Sequence, residues 1–318
     1  MTSTILIKMT LNANTKRSVD GIILVNKPFG LTSNAVLQQV KRIFGAKKAG
    51  HTGSLDPMAT GMLPICFGEG TKFCQYLLDA DKCYEVTGLL GVKTNTSDAM
   101  GEVIAHCEAF TVSEADLHAV LSQFWGPIKQ VPSMYSALKY QGAPLYKYAR
   151  AGIDIPREPR TVCIHNLQLN QFDGQQMSLT VTCSKGTYIR NLIEDIGEQL
   201  GVGAHVTRLH RCYTAGFSQE KMYTIDELLL MTATQLQFCL LPIERAVSYL
   251  PKIDLCRDMA DALRQGKTIN DLVAEGVMGT VRLYEENGHF IGLGELQATG
   301  LLKVKRLLAI SSSGLHGV

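Results

Sequence analysis

The chain has 318 residues and a formal net charge of +2, and 46% of its residues are hydrophobic while 19% are charged. This composition is typical of a well-packed protein and excludes a disordered chain, and the length allows one large domain plus a small one. No run of eighteen apolar residues occurs, so no membrane span is predicted. The nine cysteines are scattered without a C-x-x-C pair, which argues against a disulfide framework or zinc site and indicates a reduced, cytoplasmic protein.

The positions of the charged residues along the chain are more informative than the net charge. Between Asp20 and Glu69 the only acidic residue is Asp56. The cations in or beside this stretch are Lys27, Lys41, Arg42, Lys47, Lys48 and Lys72. Such a field indicates either a polyanionic ligand facing one reactive acid or an ordinary solvated basic face, and charge alone does not separate the two.

The N-terminal elements begin after a short extension, residues 1–20, which has no apolar leader and is predicted to be disordered. Residues 21–26 (GIILVN) are typical of a strand. A helix is predicted from an N-cap at Ser33 to a stop at Gly45, with apolar residues at helical spacing. The glycine-rich stretch 46–64 is predicted to be a loop.

The middle of the chain alternates strand and helix signals. Residues 84–92 are predicted to form a strand, and Ser113 with Asp116 forms a capping-box variant that starts a helix. The alternating apolar residues 177–183 predict a half-buried strand. After a turn at 184–186 a helix follows, and Arg190 lies in its first turn.

Two further regions have a different character. Residues 129–160 interleave tyrosines with cations and are predicted to be an insertion outside the core. Beyond 242–251, strand-like runs occur at 279–284, 290–296 and 301–309, and residues 286–288 are a hairpin signal. A few strands in some sixty residues predict a small barrel-like module.

The most unusual local sequence is the loop 50–61 (GHTGSLDPMATG). Its glycines permit tight turns and close approach of a ligand, and Pro57 biases Asp56 away from helix. The phosphate-binding patterns G-x-x-x-x-G-K-[ST] and G-x-G-x-x-G are both absent. Without further information, a simple Asx-turn around Asp56 is the more common explanation.

Residues 50–63 resemble the catalytic loop of the TruB family of tRNA pseudouridine synthases, G-H-T-G-x-L-D-P-x-A-T-G-x-L. Further segments are similar to family motifs in the same order: 27–33 (KPFGLTS), 81–84 (DKCY), 131–137 (VPSMYSA), 184–190 (SKGTYIR) and 203–206 (GAHV). Together they cover about residues 21–211, and several matches in order are more specific than one. The resemblance favours the stand-alone bacterial type.

The resemblance implies an α+β fold, the pseudouridine-synthase fold, with a mixed or antiparallel central sheet flanked by helices. It also implies a small C-terminal β-barrel that is similar to a PUA domain. The expected division is an extension at 1–20, a catalytic domain at 21–249 and an RNA-binding domain at 250–318. The insertion at 129–160 would close over the RNA.

The resemblance also implies roles for individual residues. Asp56 would be the nucleophile, adding either to C1′ or to C6, and Arg190 would pair with it and keep it ionised. Tyr84 would stack on the base and assist removal of the C5 proton. The remaining expected substrate-binding residues are His51, which would fill the space of flipped bases, Tyr188 and Leu209, which would line the uracil pocket, and Lys27, which would support Asp56 from behind.

Each of these residues also has a structural alternative. Arg190 could be a surface cation, although a helix start is an unfavourable place for positive charge. Tyr84 alone in a strand would more often be a core residue. Tyr188 and Leu209 could simply pack, and His51 could be a hydrogen-bonded loop histidine.

The implied reaction converts the uridine at position 55, in the T-loop of tRNA, to pseudouridine by base flipping. It requires no cofactor and no metal, and the expected partner is the tRNA T-arm, with no membrane, no obligatory protein partner and a monomeric chain. One alternative is a synthase for another RNA, although rRNA-directed relatives carry R-x-x-R-L-D in place of Gly53-Ser54-Leu55 before Asp56. Another is an RNA-binding module or tRNA-folding chaperone in which Asp56 is incidental.

Overall fold

The computed structural model describes residues 17–214, 216–217, 219–272, 274 and 276–309. The strands are β1 (Gly21–Lys27), β2 (Ala49–His51), β3 (Thr60–Phe67), β4 (Lys82–Leu90), β5 (Val92–Thr94), β6 (Val103–His106), β7 (Gly126–Gln130), β8 (Lys139–Tyr140), β9 (Ala143–Pro144), β10 (Arg160–Phe172), β11 (Gln176–Cys183), β12 (Ala204–Thr214), β13 (Lys252–Leu255), β14 (Gly279–Glu285), β15 (Phe290–Leu296) and β16 (Leu302–Leu307). The helices are α1 (Ser33–Ile43), α2 (Cys74–Leu78), α3 (Glu114–Ser122), α4 (Leu145–Arg150), α5 (Ile189–Gln199), α6 (Ile225–Leu229), α7 (Ala233–Phe238) and α8 (Arg257–Arg264), with 3₁₀ turns at Gly68–Phe73 and Ile243–Val247. In this part of the chain, every helix is too short or too polar to span a membrane.

One large sheet organises most of the chain. Its order is β1-β3-β12-β4-β11-β10-β7, and β2 pairs with the C-terminal end of β3 on the edge opposite β1. All of these pairs are antiparallel except β3 with β12, which run parallel. The sheet is therefore mixed, and helices pack against it, so the predicted α+β class is confirmed.

The main core lies between the centre of this sheet and helices α3 and α5. The apolar residues of β11 alternate with more exposed ones, which places Met177, Leu179 and Val181 on the buried face. Helical spacing places Leu192, Ile193 and Ile196 of α5 against them. A second core forms where α1, α6 and α7 cover β1 and β3. The loop that carries Asp56 joins β2 to β3 and contributes Leu55 and Met58 to the main core.

Several predicted elements are confirmed. The strand at 21–26 is β1, the alternating strand is β11, and the helix with Arg190 in its first turn is α5. Ser113 and Asp116 form the capping box at the start of α3. The three C-terminal strand-like runs are β14, β15 and β16.

Two predictions near the catalytic-loop motif are wrong in detail. The N-cap of α1 is Thr32, whose hydroxyl accepts from Ala35, while Ser33 is buried and bonds to Leu55. The stretch 46–64 is not a continuous loop, because β2 and the start of β3 lie within it. The reason is tertiary: small residues that are typical of turns also fit strands in a sheet interior when neighbouring backbones supply their hydrogen bonds.

The predicted insertion is narrower than 129–160. Lys129 and Gln130 belong to β7 and Arg160 begins β10, and these strands pair within the main sheet. The residues between them form the small β8–β9 ladder and α4. The segment 131–159 is therefore the part that stands apart from the sheet.

The ends of the chain also differ from expectation or lie outside the described residues. The predicted extension at 1–20 ends earlier, because Arg17 pairs with the backbone of residues 45–47 and Val19 is buried. Residues 1–16 and the serine-rich tail from Ile310 lie outside the described residues.

The C-terminal strands form a separate four-stranded sheet in the order β13-β14-β15-β16, with α8 against it. The predicted hairpin is present, and the turn after β14 is closed by the Gly288 amide, which donates to the Glu285 carbonyl. Within the described residues the sheet is an open path and not a closed barrel. Phe290 and Leu293 pack into a core shared with the first sheet, and the ring centroids of Phe73 and Phe290 lie 5.7 Å apart.

Substitution of Gly61 tests how closely β3 and β12 approach each other at the end of the Asp56 loop. It has φ +98°, and a Cβ there would lie 2.3 Å from the Arg211 carbonyl oxygen. Gly174 has a similar φ of +93° with open space around its Cβ position. We expect Gly61→Ala to lower the free energy of unfolding by at least roughly 3 kcal/mol, and Gly174→Ala by only about 1–2 kcal/mol from backbone strain. Denaturant unfolding measures both, and equal losses would show that β3 and β12 are not this close.

Candidate active site

Asp56 is held by contacts on both sides of it in the loop between β2 and β3. The buried hydroxyl of Ser33 accepts from the Leu55 amide at 2.8 Å and donates to the Leu55 carbonyl at 3.1 Å. The Asp56 carbonyl accepts from the Ala59 amide at 3.0 Å. These bonds fix the backbone around the carboxylate, so its position does not depend on its own side-chain contacts alone.

Arg190 forms the central ion pair with Asp56. Its Nε donates to Asp56 Oδ2 at 2.8 Å, while its two terminal nitrogens donate to the carbonyls of Thr96 (2.7 Å) and Tyr135 (2.9 Å). The Arg190 side chain is 3% exposed and that of Asp56 is 36% exposed. The structure therefore brings the two predicted residues together, with the cation buried and the carboxylate open on one side.

Asp98 is a second carboxylate near Arg190, and no motif in the sequence singles it out. Its Oδ2 lies 3.7 Å from a terminal nitrogen of Arg190, and its Oδ1 accepts from the Thr96 hydroxyl at 2.7 Å and the Met100 amide at 3.0 Å. The only local signal is an acid in the short connection between β5 and β6, which is too common a feature to mark a site.

Burial and three neighbouring charges set the ionisation of Asp56. Burial raises the pKa of Asp56, the positive charge and hydrogen bond of Arg190 oppose that rise, the nearby charge of Asp98 adds to it, and the charge of Lys27 opposes it. A carboxylate with limited access to water is less hydrated than a surface aspartate. Such a group is more reactive toward an electrophile placed on its open side.

An apolar floor lies beside this pair. Tyr84 in β4 and Leu209 in β12 are buried in the same cluster as Leu55 and Met58 of the Asp56 loop. Burial raises the pKa of Tyr84. An aromatic ring and aliphatic groups beside a carboxylate can hold a planar base by stacking and packing.

Tyr188 lies at the edge of the site, immediately before α5. Its backbone amide donates to the side-chain oxygen of Gln130 at 3.0 Å, and the Gln130 side-chain nitrogen donates to the Tyr188 carbonyl at 3.2 Å. The side chain of Tyr188 is half-buried, and burial raises its pKa. Gln130, which is 2% exposed, was also missed from sequence because it looks like an ordinary polar residue at a strand end.

Lys27 lies behind the loop and not on its open side. It is fully buried, and its Nζ donates to the carbonyls of Ala59 (2.6 Å), Pro28 (2.8 Å) and Pro57 (3.2 Å). Burial lowers the pKa of Lys27 to about 8, although the charge of Asp56 acts in the other direction. A ligand on the open side of Asp56 would not touch this ammonium group.

His51 ends β2 and is half-buried. Within the described residues, its Nδ1 is buried without a hydrogen-bond partner. Burial, together with the charge of Arg211, lowers the pKa of His51, so its imidazole is neutral at physiological pH. A half-buried neutral ring can pack against a base.

Family models match almost the whole chain. The N-terminal domain of TruB family pseudouridylate synthases matches residues 41–189, and the tRNA pseudouridylate synthase B C-terminal domain matches 190–248. The C-terminal domain of pseudouridine synthase II TruB matches 251–308.

Two curated relatives extend this match over almost their full length. A protein of Legionella pneumophila (strain Philadelphia 1), described as tRNA pseudouridine synthase B, is 56% identical over 294 residues, which are 92% of this chain and 97% of the relative. This chain belongs to the TruB family of pseudouridine synthases. A second TruB protein with the same description, from Aeromonas salmonicida (strain A449), is 50% identical over 303 residues, 92% of this chain and 94% of the relative.

Solved structures agree on the fold of this TruB family member. The crystal structure of an archaeal box H/ACA sRNP Nop10–Cbf5 complex contains a chain with a TM-score of 0.68 and 25% identity, and the match covers 90% of this chain and 85% of that one. A structure of an H/ACA RNP bound to a substrate RNA containing 2′-deoxyuridine gives a TM-score of 0.70 at 24% identity, covering 94% and 93%. The predicted pseudouridine-synthase fold is thereby confirmed.

The electrostatic arrangement of this TruB site can be tested without any substrate. The Asp56 carboxyl should titrate above the ordinary aspartate range near 3.9 because burial dominates. Arg190→Gln removes the opposing cation and should raise the Asp56 pKa further, whereas Asp98→Asn removes a like charge and should lower it. The ¹³C chemical shift of the Asp56 carboxyl during a pH titration reports these changes.

The control for this titration is Asp173→Asn, which removes an exposed carboxylate in the turn between β10 and β11 and should leave the Asp56 pKa unchanged. A downward shift in Arg190→Gln, or no shift in Asp98→Asn, would contradict this arrangement of charges. Thermal melts of the variants establish that each is folded during the titration.

Proposed function

We propose that this chain converts the uridine at position 55, in the T-loop of tRNA, into pseudouridine, with Asp56 as the nucleophile and no cofactor. The observation that carries the proposal is the 2.8 Å pairing of Asp56 with a buried Arg190 beside an apolar floor. The curated relatives at 50–56% identity, described as tRNA pseudouridine synthase B, support tRNA as the substrate. The chain is thus an isomerase: the bonds within one nucleotide are exchanged and nothing is added.

In the proposed reaction, the N1–C1′ bond of uridine breaks, the uracil rotates, a C5–C1′ bond forms, the C5 proton leaves and N1 takes up a proton. Asp56 adds to C1′ or to C6, and its bond to the nucleotide breaks again before the product leaves. Addition requires the ionised carboxylate, so the charge of Arg190 has to offset burial. The half-open Asp56 side chain gives the nucleotide access from one side only, which orients it before bond breaking.

The target uridine has to leave its stack before it can reach Asp56, at a cost of a few kcal/mol. Tyr84 then stacks on the flipped uracil and assists removal of the C5 proton, and Tyr188 and Leu209 line the pocket. His51 occupies the space that the flipped bases leave. Lys27 supports the loop from behind and does not contact the RNA.

The segment 131–159 is proposed to close over the T-arm. Its first residues cross the active site, where the carbonyls of Val131 and Tyr135 accept from Asn191 and Arg190 of α5. Its tip carries exposed cations and half-exposed aromatic rings, including Arg150, whose guanidinium lies 5.5 Å from the Tyr146 ring centroid. Such groups suit RNA loops, which proteins recognise through phosphates and splayed bases.

Two domains are assigned within this proposed function. Residues 21–249 form the catalytic domain and 250–318 a PUA-like RNA-binding domain, supported by the separate sheet β13–β16. The chain is expected to act as a monomer without an obligatory protein partner. Its nine free thiols and its tRNA substrate are consistent with the cytoplasm.

The direct test is an assay of pseudouridine in an unmodified tRNA transcript, treated with the protein in EDTA and mapped by carbodiimide-dependent primer-extension stops. A single stop that reports pseudouridine at position 55 is expected, and a transcript with cytidine there should give none. Asp56→Asn should lower the single-turnover rate by about 10³-fold or more because it removes the nucleophile, while tRNA affinity stays within about threefold.

Asp173→Asn is the matched control for Asp56→Asn, since it makes the same chemical change in an exposed turn, and it should retain the wild-type rate. A stop elsewhere in the tRNA would overturn the assignment to position 55. Full activity in Asp56→Asn would overturn its assignment as nucleophile.

The role of the segment 131–159 can be tested through its charges. Replacing its exposed cations Lys139, Lys147 and Arg150 by Gln should weaken tRNA binding, because fewer phosphates are neutralised. The log–log slope of affinity against salt should flatten by roughly 0.7–0.9 for each phosphate that is no longer neutralised. The rate at saturating tRNA should change little, since these residues lie outside the Asp56 pair.

Filter binding at several salt concentrations measures this slope. Lys221→Gln is the control, because Lys221 is an exposed cation outside the segment whose ammonium group pairs with Glu227, and it should leave the slope unchanged. An unaltered slope in the triple variant would show that the segment does not grip the RNA backbone.

A further inference from the structure

Arg211 is a buried cation in β12. It is 1% exposed, and within the described residues it forms no ion pair with a carboxylate and no hydrogen bond to Asp56. Leaving a guanidinium out of water without a counter-ion is costly unless its N–H groups find good acceptors. The hydrogen bonds of Arg211 therefore indicate which segments this buried charge stabilises.

Two of those contacts reach the ends of the loop that carries Asp56. The Nε of Arg211 donates to the Met62 carbonyl at 2.6 Å, and a terminal nitrogen donates to the Gly53 carbonyl at 3.1 Å. Gly53 has φ +88°, and a Cβ there would lie 3.5 Å from Arg211 Nη1. One planar group thus joins the entry and the exit of the loop, with Asp56 between them.

The third neighbour is Tyr84. Arg211 and Tyr84 lie opposite each other where β12 pairs with β4, so their side chains extend from the same face of the sheet. The charge of Arg211 lowers the pKa of Tyr84 and so works against burial, while the other titratable groups around Tyr84, Cys183 and Asp56, act with burial. Among Arg211, Cys183 and Asp56, only Arg211 therefore favours the phenolate form of Tyr84.

We propose that Arg211 is a positioning residue for the reaction, which fixes the loop of Asp56 and the hydroxyl of Tyr84 relative to each other. The inference rests on the proposed function and adds a residue to it. Asp56 and Tyr84 act on different atoms of one nucleotide, and no hydrogen bond joins the two side chains directly. Arg211 bonds to both ends of the loop and lies beside Tyr84 in the sheet, so it sets their separation, and a small misplacement of reacting groups costs as much as about 10²-fold in rate.

The first experiment compares Arg211→Gln and Arg211→Lys in single-turnover assays with enzyme in excess over saturating tRNA. Gln removes both the charge and the planar set of guanidinium N–H donors, and we expect a rate loss of about 10²-fold or more with tRNA affinity within about threefold. Lys restores the charge but not the planar donors, and it should recover part of the lost rate. Arg245→Gln is the matched control, because Arg245 also donates to a main-chain carbonyl, that of Gly216 at 2.9 Å, but lies away from the site.

The second experiment separates positioning from general stability. Arg211→Gln is repeated in a Tyr84→Phe background, which keeps the ring and removes only the hydroxyl. If Arg211 acts through that hydroxyl, its replacement costs several-fold less in this background than in the wild type. The same fold loss in both backgrounds would mean that Arg211 only holds the fold, and the inference would be wrong.

The outcomes also separate this inference from the proposed function. A wild-type protein that makes no pseudouridine contradicts the proposed function itself. An active wild type with Arg211→Gln within about threefold of it contradicts only the role of Arg211. If thermal melting shows that Arg211→Gln is unfolded, the comparison in the two backgrounds is made with Arg211→Lys, and the same two results decide it.

Discussion

The ion pair between Asp56 and Arg190 is the contact on which the rest of the site depends. Arg190 is almost completely removed from water, and a buried guanidinium is stabilised when each of its three nitrogens has an acceptor. It finds the Asp56 carboxylate and the carbonyls of Thr96 and Tyr135. These acceptors lie in three segments far apart in the chain, so satisfying one side chain brings the catalytic loop, the β5–β6 connection and the segment after β7 to the same point.

Two buried cations also stabilise the catalytic loop from the protein interior. Lys27 donates to carbonyls on the C-terminal side of Asp56, and Arg211 donates to Gly53 and Met62 at the two ends of the loop. The loop has little regular secondary structure, so its carbonyls lack the backbone hydrogen bonds that pair strands in a sheet. These charge-assisted bonds take their place. They are stronger than bonds between neutral groups, which suits a segment that has to hold one carboxylate in a fixed place. The open side of Asp56 then remains free for the nucleotide.

The sequence was a good guide wherever a structure depends on neighbours in the chain. The capping box of α3, the alternation of β11 and the helical face of α5 are local patterns, and each was predicted correctly. Ser33 was misassigned because its hydroxyl serves Leu55, twenty-two positions away, and not the start of its own helix. The boundaries of the segment after β7 were also wrong, since strand pairing with β10 decides them. Long-range pairing has no signature in local composition.

By itself, the sequence determined the family, the order of most elements and the identity of Asp56 and Arg190 as candidate partners, because these follow from motifs and short-range periodicity. Tertiary structure alone decided that Arg190 lies 2.8 Å from Asp56 across 134 positions, and that Arg211 reaches Gly53 across 158. It also decided that Asp98 approaches the same guanidinium and that Lys27 is buried behind the loop, where it donates to loop carbonyls. The reason is that burial and charge proximity are properties of the packed chain: a residue's neighbours in space, and not those in sequence, set its pKa and its hydrogen bonds.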